Sequence, residues 1–84
     1  MSDLKARFEA AAAAVKQLEE DPGNEVKLEL YALYKQAREG DVQGKRPGFA
    51  DLVGRAKFDA WARLKGTSAQ DAMKRYVEVA QGLQ

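Results

Sequence analysis

Two phenols and an ammonium fall within five consecutive residues, at Tyr31, Tyr34 and Lys35. On a helix, Tyr31 and Lys35 are four apart and lie one above the other, with Tyr34 beside them. A phenol offers a flat π-face and a hydroxyl; an ammonium offers a point charge suited to phosphate. Such a set can hold a flat, phosphorylated, partly apolar ligand. Taken alone, two half-buried tyrosines beside a solvated lysine explain it better, so the choice rests on the remainder of the chain.

Much chemistry is excluded by composition. The 84 residues contain neither cysteine nor histidine, which removes thiolate metal sites, the commonest zinc ligand and the commonest general base. Carboxylate-only or lysine-based chemistry is what remains for an enzyme. With 14 Lys+Arg against 13 Asp+Glu the formal charge is +1, so a nucleic-acid partner is not expected. No apolar run approaches the ~20 residues of a membrane span. The opening Met1-Ser2-Asp3-Leu4-Lys5 lacks the order of a secretory signal. A soluble, cytoplasmic protein is expected, one domain over residues 1–84 with a small core.

The elements that must position these side chains can be read from periodicity. Leu4, Phe8, Ala11, Val15 and Leu18 form one apolar stripe, with Ser2 or Asp3 as cap. Five alanines from Ala10 to Ala14 favour helix and keep its surface low, so a neighbour or ligand can approach closely. Asp21-Pro22-Gly23-Asn24 breaks the chain, with Asn24 as the cap of a second helix over about 25–39. Val26, Leu30, Leu33 and Ala37 share its inner face. Tyr34, Tyr31 and Lys35 fan away from that face, and Leu28 lies beyond them, nearly opposite the core.

Gly40 closes the second helix and a long loop runs to Phe49, a length more often functional or packed than idle. A third helix is expected over about 52–64, with Phe58, Trp61 and Leu64 inward. Ser68 and Asp71 have the spacing of a capping box that opens a fourth helix, whose Met73, Tyr76, Val77 and Ala80 face the core. The fold class that follows is all-α, a four-helix bundle.

Five sequence words now carry a likeness. They are Tyr31-x-x-Tyr34-Lys35-Gln36-Ala37-x-x-Gly40-Asp41, Arg46-Pro47-Gly48, Gly54-x-Ala56-Lys57-Phe58-Asp59-Ala60-Trp61, Leu64-Lys65-Gly66-Thr67-Ser68 and Asp71-Ala72-Met73-Lys74-x-Tyr76. In this order and spacing the chain resembles the acyl-CoA-binding proteins over essentially its whole length. That resemblance implies a four-helix, non-catalytic carrier and pool buffer of long-chain fatty acyl-CoA, with no cofactor beyond the bound ligand. It implies that the 3′-phospho-ADP head meets Lys16, Tyr31, Tyr34, Lys35, Lys57 and Tyr76, and that the acyl chain lies along Leu28 and Val53. Transient contact with acyl-CoA-using enzymes or with membranes is the partner expectation. Departures from the family pattern are Phe58 where tryptophan is frequent, Val53 where lysine is frequent, and Ala80 in place of a larger aliphatic. The last implies looser packing between the first and fourth helices.

Chemistry supports the same ligand. The nucleotide head carries roughly three to four negative charges at neutral pH, and Lys35 and Lys57, from different helices, would meet it without making the whole protein basic. Adenine stacked on tyrosine is worth about 1–3 kcal/mol. Each buried methylene adds about 0.8 kcal/mol, hence up to ~10 kcal/mol for a long chain before ordering costs. Two other functions compete. A helical module receiving a partner's amphipathic helix would show a prominent apolar patch without paired lysines. An enzyme would need a nucleophile or activated water that no residue set here supplies.

Overall fold

The helical periodicities become four α-helices in the computed structural model, which describes residues 3–83. They are α1 (Asp3–Val15), α2 (Asn24–Glu39), α3 (Leu52–Ala62) and α4 (Ala69–Gly82), with no strand among the described residues. Ser2, one of the two caps expected for α1, lies outside them. Asp3 is the first residue of α1, where its charge opposes the helix dipole favourably.

Helix ends depart from expectation by a few residues, each for a local reason. Beyond Val15, Gln17 and Leu18 donate to Ala14 and Val15, three residues back, so the chain tightens and Leu18 sits in a turn. The same happens beyond Ala62: Leu64, Lys65 and Thr67 donate to Trp61, Ala62 and Leu64, and the turn closes at Gly66 with φ +90°. Asn24 is not a cap; it belongs to α2, and Gly23 precedes it with φ +97°, a conformation only glycine adopts freely. The Gly23 N–H is taken by Asp21 Oδ1 at 2.7 Å. Ser68 caps α4 as expected, its Oγ accepting from the Asp71 N–H at 3.1 Å. Asp51 does the same for α3, accepting from the Gly54 N–H at 2.9 Å. A side chain at position 54 would collide with that carboxylate, so glycine and cap are one device.

α4 is the centre of the bundle: it packs on both α1 and α2, and α3 packs on the outer flank of α2. Among the described residues the backbones of α1 and α2 make no close approach. Side chains bridge them instead. Phe8 stacks on Tyr34 at 5.5 Å between centroids and meets Tyr76 edge-on at 5.2 Å. Such pairs are worth about 0.5–1.5 kcal/mol each beyond simple burial. Around them Leu30, Leu33, Ala37, Ala72, Val77 and Ala80 complete the core. The Cα extents are 38 × 30 × 14 Å, so the thinnest dimension holds two helix layers and any ligand site must be a surface cleft. Small residues facing each other on α1 and α4, Ala10, Ala11, Ala14 and Ala80, leave a groove of about 340 Å³. Ala80 itself is buried in the core.

The long loop between α2 and α3 is fastened by polar groups. Trp61 Nε1 donates to the Gly40 carbonyl at 2.8 Å. Asp41 Oδ1 accepts from the Gly66 N–H at 2.8 Å and from buried Gln36 Nε2 at 2.9 Å. Arg46 grips Asp59 with two parallel bonds of 2.8 and 2.7 Å. The Gly66 N–H, and then Gln36, hold the Asp41 carboxyl below its ordinary value of 3.8. A lowered carboxyl stabilises the fold above that value and loses its contribution as the pH falls through the folded pKa. Asp41→Ala should therefore lower the urea midpoint at neutral pH, with the gap to wild type narrowing below pH 3.8. A gap independent of pH would show that the carboxylate charge contributes nothing.

Candidate functional site

Among the described residues the backbones of α1 and α2 make no close approach, and a cleft of about 670 Å³ opens between them. Its low α1 wall is the alanine run, through Ala12 and Ala13, and Lys16 stands just past that helix's end. The α2 wall presents Lys27, Tyr31 and Tyr34, one face at three- and four-residue spacing. Tyr76, only 4% exposed, reaches in from α4, and Lys57 reaches over from α3. Four helices thus contribute to one opening.

Electrostatically the cleft is a positive pocket in a nearly neutral protein. Lys16, Lys27 and Lys57 line it against a single carboxylate, Glu9, which is paired with Arg38 at 3.4 Å. Lys27 is held by Asp21 at 2.8 Å. Neither Lys16 nor Lys57 has a carboxylate partner among the described residues; Lys57 Nζ lies 5.3 Å from the centre of the Tyr31 ring. Burial, and to a smaller extent Tyr34, raises the Tyr76 phenol above its ordinary value of 10.0. Tyr76 therefore stays neutral at physiological pH and remains able to donate a hydrogen bond to an anion.

A second, apolar groove of about 360 Å³ adjoins the first. Leu28 and Asn24 of α2 form one side and Leu52, Val53 and Ala56 of α3 the other; Lys27 and Lys57 line both cavities. Leu28 is half-buried between the two helices rather than exposed opposite the core, because α3 docks along that flank of α2. Val53 sits in the first turn of α3, 68% exposed at the groove's rim.

Seven of the eight expected residues are thus brought together, Lys16, Tyr31, Tyr34, Lys57 and Tyr76 in the cleft and Leu28 and Val53 beside it. Lys35 is the exception. Its ammonium pairs with Glu39 one turn on and lies 4.9 Å from the Trp61 ring centre, so it flanks the cleft without lining it. That hydrogen bond raises its pKa above the usual 10.5 and keeps it charged. Lys27 and Leu52 were missed by sequence reasoning. Lys27 carried a signal, since it precedes Tyr31 by the four residues that also separate Tyr31 from Lys35.

The geometry has its counterpart in known proteins. Residues 5–80 match the family model described as Acyl CoA binding protein. The acyl-CoA-binding protein homolog of Manduca sexta is 46% identical over 81 residues, covering 95% of this chain and 90% of that protein. This chain belongs to the acyl-CoA-binding protein family. The Drosophila melanogaster homolog is 44% identical over 77 residues, covering 92% of this chain and 90% of its own. Human enoyl-CoA delta isomerase 2 is 49% identical over 76 residues, but those make up 19% of the isomerase against 90% of this chain. Among solved structures, Oryza sativa acyl-CoA-binding protein 2 superposes with a TM-score of 0.90 at 42% identity, covering 95% of this chain and 89% of that one. The all-α, four-helix architecture is the one this family shares.

The raised phenol makes a test within the site. A group with a raised folded pKa keeps its full contribution below the unfolded value, here 10.0, and loses it as the pH climbs toward the folded one. Wild type should therefore lose stability above pH 10 more steeply than Tyr76→Phe, with the two curves parallel below it. Curves parallel throughout would mean that the hydroxyl is freely solvated.

Proposed function

We propose that this chain binds long-chain fatty acyl-CoA thioesters and carries them unchanged, acting as a soluble, cytoplasmic carrier and pool buffer. The observation that carries this reading is the junction itself: a cationic, phenol-lined cleft runs into an apolar groove, and Lys57 borders both. The phosphates of the head would meet Lys16, Lys57 and Tyr76, and adenine would stack on Tyr31 or Tyr34. The acyl chain would leave past Lys57 along Leu28 and Val53. The family membership and the names of the relatives point the same way.

Lys35 enters this scheme by exchange. A surface pair at i,i+4 is worth about 0.3–0.5 kcal/mol, so a ligand phosphate competes readily with Glu39 for its ammonium. Catalysis is not proposed. The likeness to the isomerase spans 19% of that protein, and the cleft pairs no nucleophile with a base. Acyl-CoA-using enzymes are the transient partners such a carrier would serve. Among the described residues no helix is long and apolar enough to cross a membrane.

Calorimetry with three ligands tests the two-ended site. Palmitoyl-CoA should bind far more tightly than CoA or palmitate alone. Removing a charged hydrogen bond with Lys57→Met should weaken palmitoyl-CoA by about tenfold to a hundredfold. Equal affinity for CoA and palmitoyl-CoA, or an unaffected Lys57→Met, would contradict the model, and release of free CoA would reopen catalysis.

A further inference from the structure

The groove between α2 and α3 has a carbon surface and a cationic edge. Leu28, Leu52, Val53 and Ala56 supply the carbon, while Asn24, Lys27 and Lys57 supply polar groups. No carboxylate lines it among the described residues. A lysine that only covered apolar surface with its stem would leave its ammonium loose in water. Lys27 is held instead. Its Nζ donates to Asp21 Oδ2 at 2.8 Å, and the other oxygen of Asp21 accepts from the Gly23 N–H at 2.7 Å. The ammonium is therefore fixed at the groove's edge by the turn that opens α2.

Position along α2 says what that charge would meet. Tyr31, beside Lys57, marks the border with the cleft; Lys27 and Leu28 follow one turn nearer the helix start, and Asn24 one turn beyond. From Tyr31 to Asn24 the helix rises about 10 Å. A long acyl chain spans about 15 Å, half the hydrocarbon core of a bilayer, so its end passes beyond Asn24. A chain about a third shorter ends beside Lys27 and Asn24. An ammonium has three donors, and Asp21 takes one. The pair is open to water, with side chains 51% and 65% exposed, so its worth is at most about fivefold in an equilibrium constant. Lys27 can therefore share its charge with a second carboxylate or exchange Asp21 for it, and the Asn24 amide offers a further donor.

We propose that the groove also takes acyl chains that end in a carboxylate, and that Lys27 is the residue that selects them. The ligand class is the dicarboxylyl-CoA thioester of medium length. This inference rests on the carrier reading above and widens its range of tails. Lys57 is engaged by the head in that scheme, which leaves Lys27 as the cation for the far end of the chain. In a wholly apolar groove an unpaired terminal carboxylate would cost on the order of a hundredfold or more in affinity. A fixed ammonium at the edge removes that penalty, and the methylenes between the two ends still lie on Leu28 and Val53.

Calorimetry with dodecanoyl-CoA and dodecanedioyl-CoA, which differ only in the terminal carboxylate, tests the inference. The readout is the ratio of the two affinities in each variant, so a general loss of binding cancels. In wild type the two should agree within about threefold. Lys27→Met should move the ratio at least about tenfold against the diacid. Asp21→Asn, which frees the ammonium, should move it up to about fivefold toward the diacid. Wild type that binds dodecanoyl-CoA and rejects the diacid a hundredfold would overturn the inference and leave the carrier reading intact. So would a ratio that Lys27→Met leaves unchanged. Binding of neither thioester would overturn the carrier reading, and this inference with it.

Discussion

Phe8 sets the geometry on which the site depends. It is fully buried, stacks on Tyr34 of α2 and meets Tyr76 of α4 edge-on, so three helices are joined through one ring. These rings bridge α1 and α2 where their backbones make no close approach among the described residues, and the cleft opens between the two helices. The tyrosines therefore act at both levels: Tyr76 belongs to the core and Tyr34 packs on it, and both line the cleft. A bundle two helix layers thick has no interior deep enough for a ligand, and the opening comes from incomplete closure between neighbours.

Local charge then decides what the opening selects. A protein of net charge +1 attracts polyanions weakly at long range, while three lysines against one engaged carboxylate make this cleft positive at short range. Tyr76 is a neutral phenol at physiological pH, and burial raises its pKa further, so it adds a donor and no opposing charge. Lys57 has a special place because α3 docks on α2 rather than on α1 or α4. That docking brings one ammonium to the border between a wet, cationic cleft and an apolar groove, and it also presents Leu52 and Val53 at the outer rim.

The four helices were legible because their inner faces follow helical spacing and their breaks carry Gly23, Gly40, Gly66 and Ser68. Their exact ends were less so. Whether Leu18 or Leu64 continues a helix or enters a tightened turn depends on three-residue hydrogen bonds that leave no mark in hydrophobic pattern. Leu28 was assigned to the wrong environment because a single helix wheel cannot show that α3 covers the far flank of α2. The direction of Lys35 was readable, since Glu39 follows at the spacing of a stabilising pair, yet a ligand reading draws attention away from it. Composition and family words singled out these residues, and the packing order α1, α4, α2, α3 explains why most of them line one opening.

The proposed ligand would place its head in the cleft between α1 and α2 and its tail in the groove between α2 and α3. Amide shift mapping by NMR addresses it residue by residue. Titration with 3′-phospho-ADP should move resonances around Lys16, Tyr31, Lys57 and Tyr76, and palmitoyl-CoA should add Leu28, Leu52 and Val53. Shifts centred elsewhere, such as the Arg63 and Arg75 side of the bundle, or identical footprints for both ligands, would contradict it.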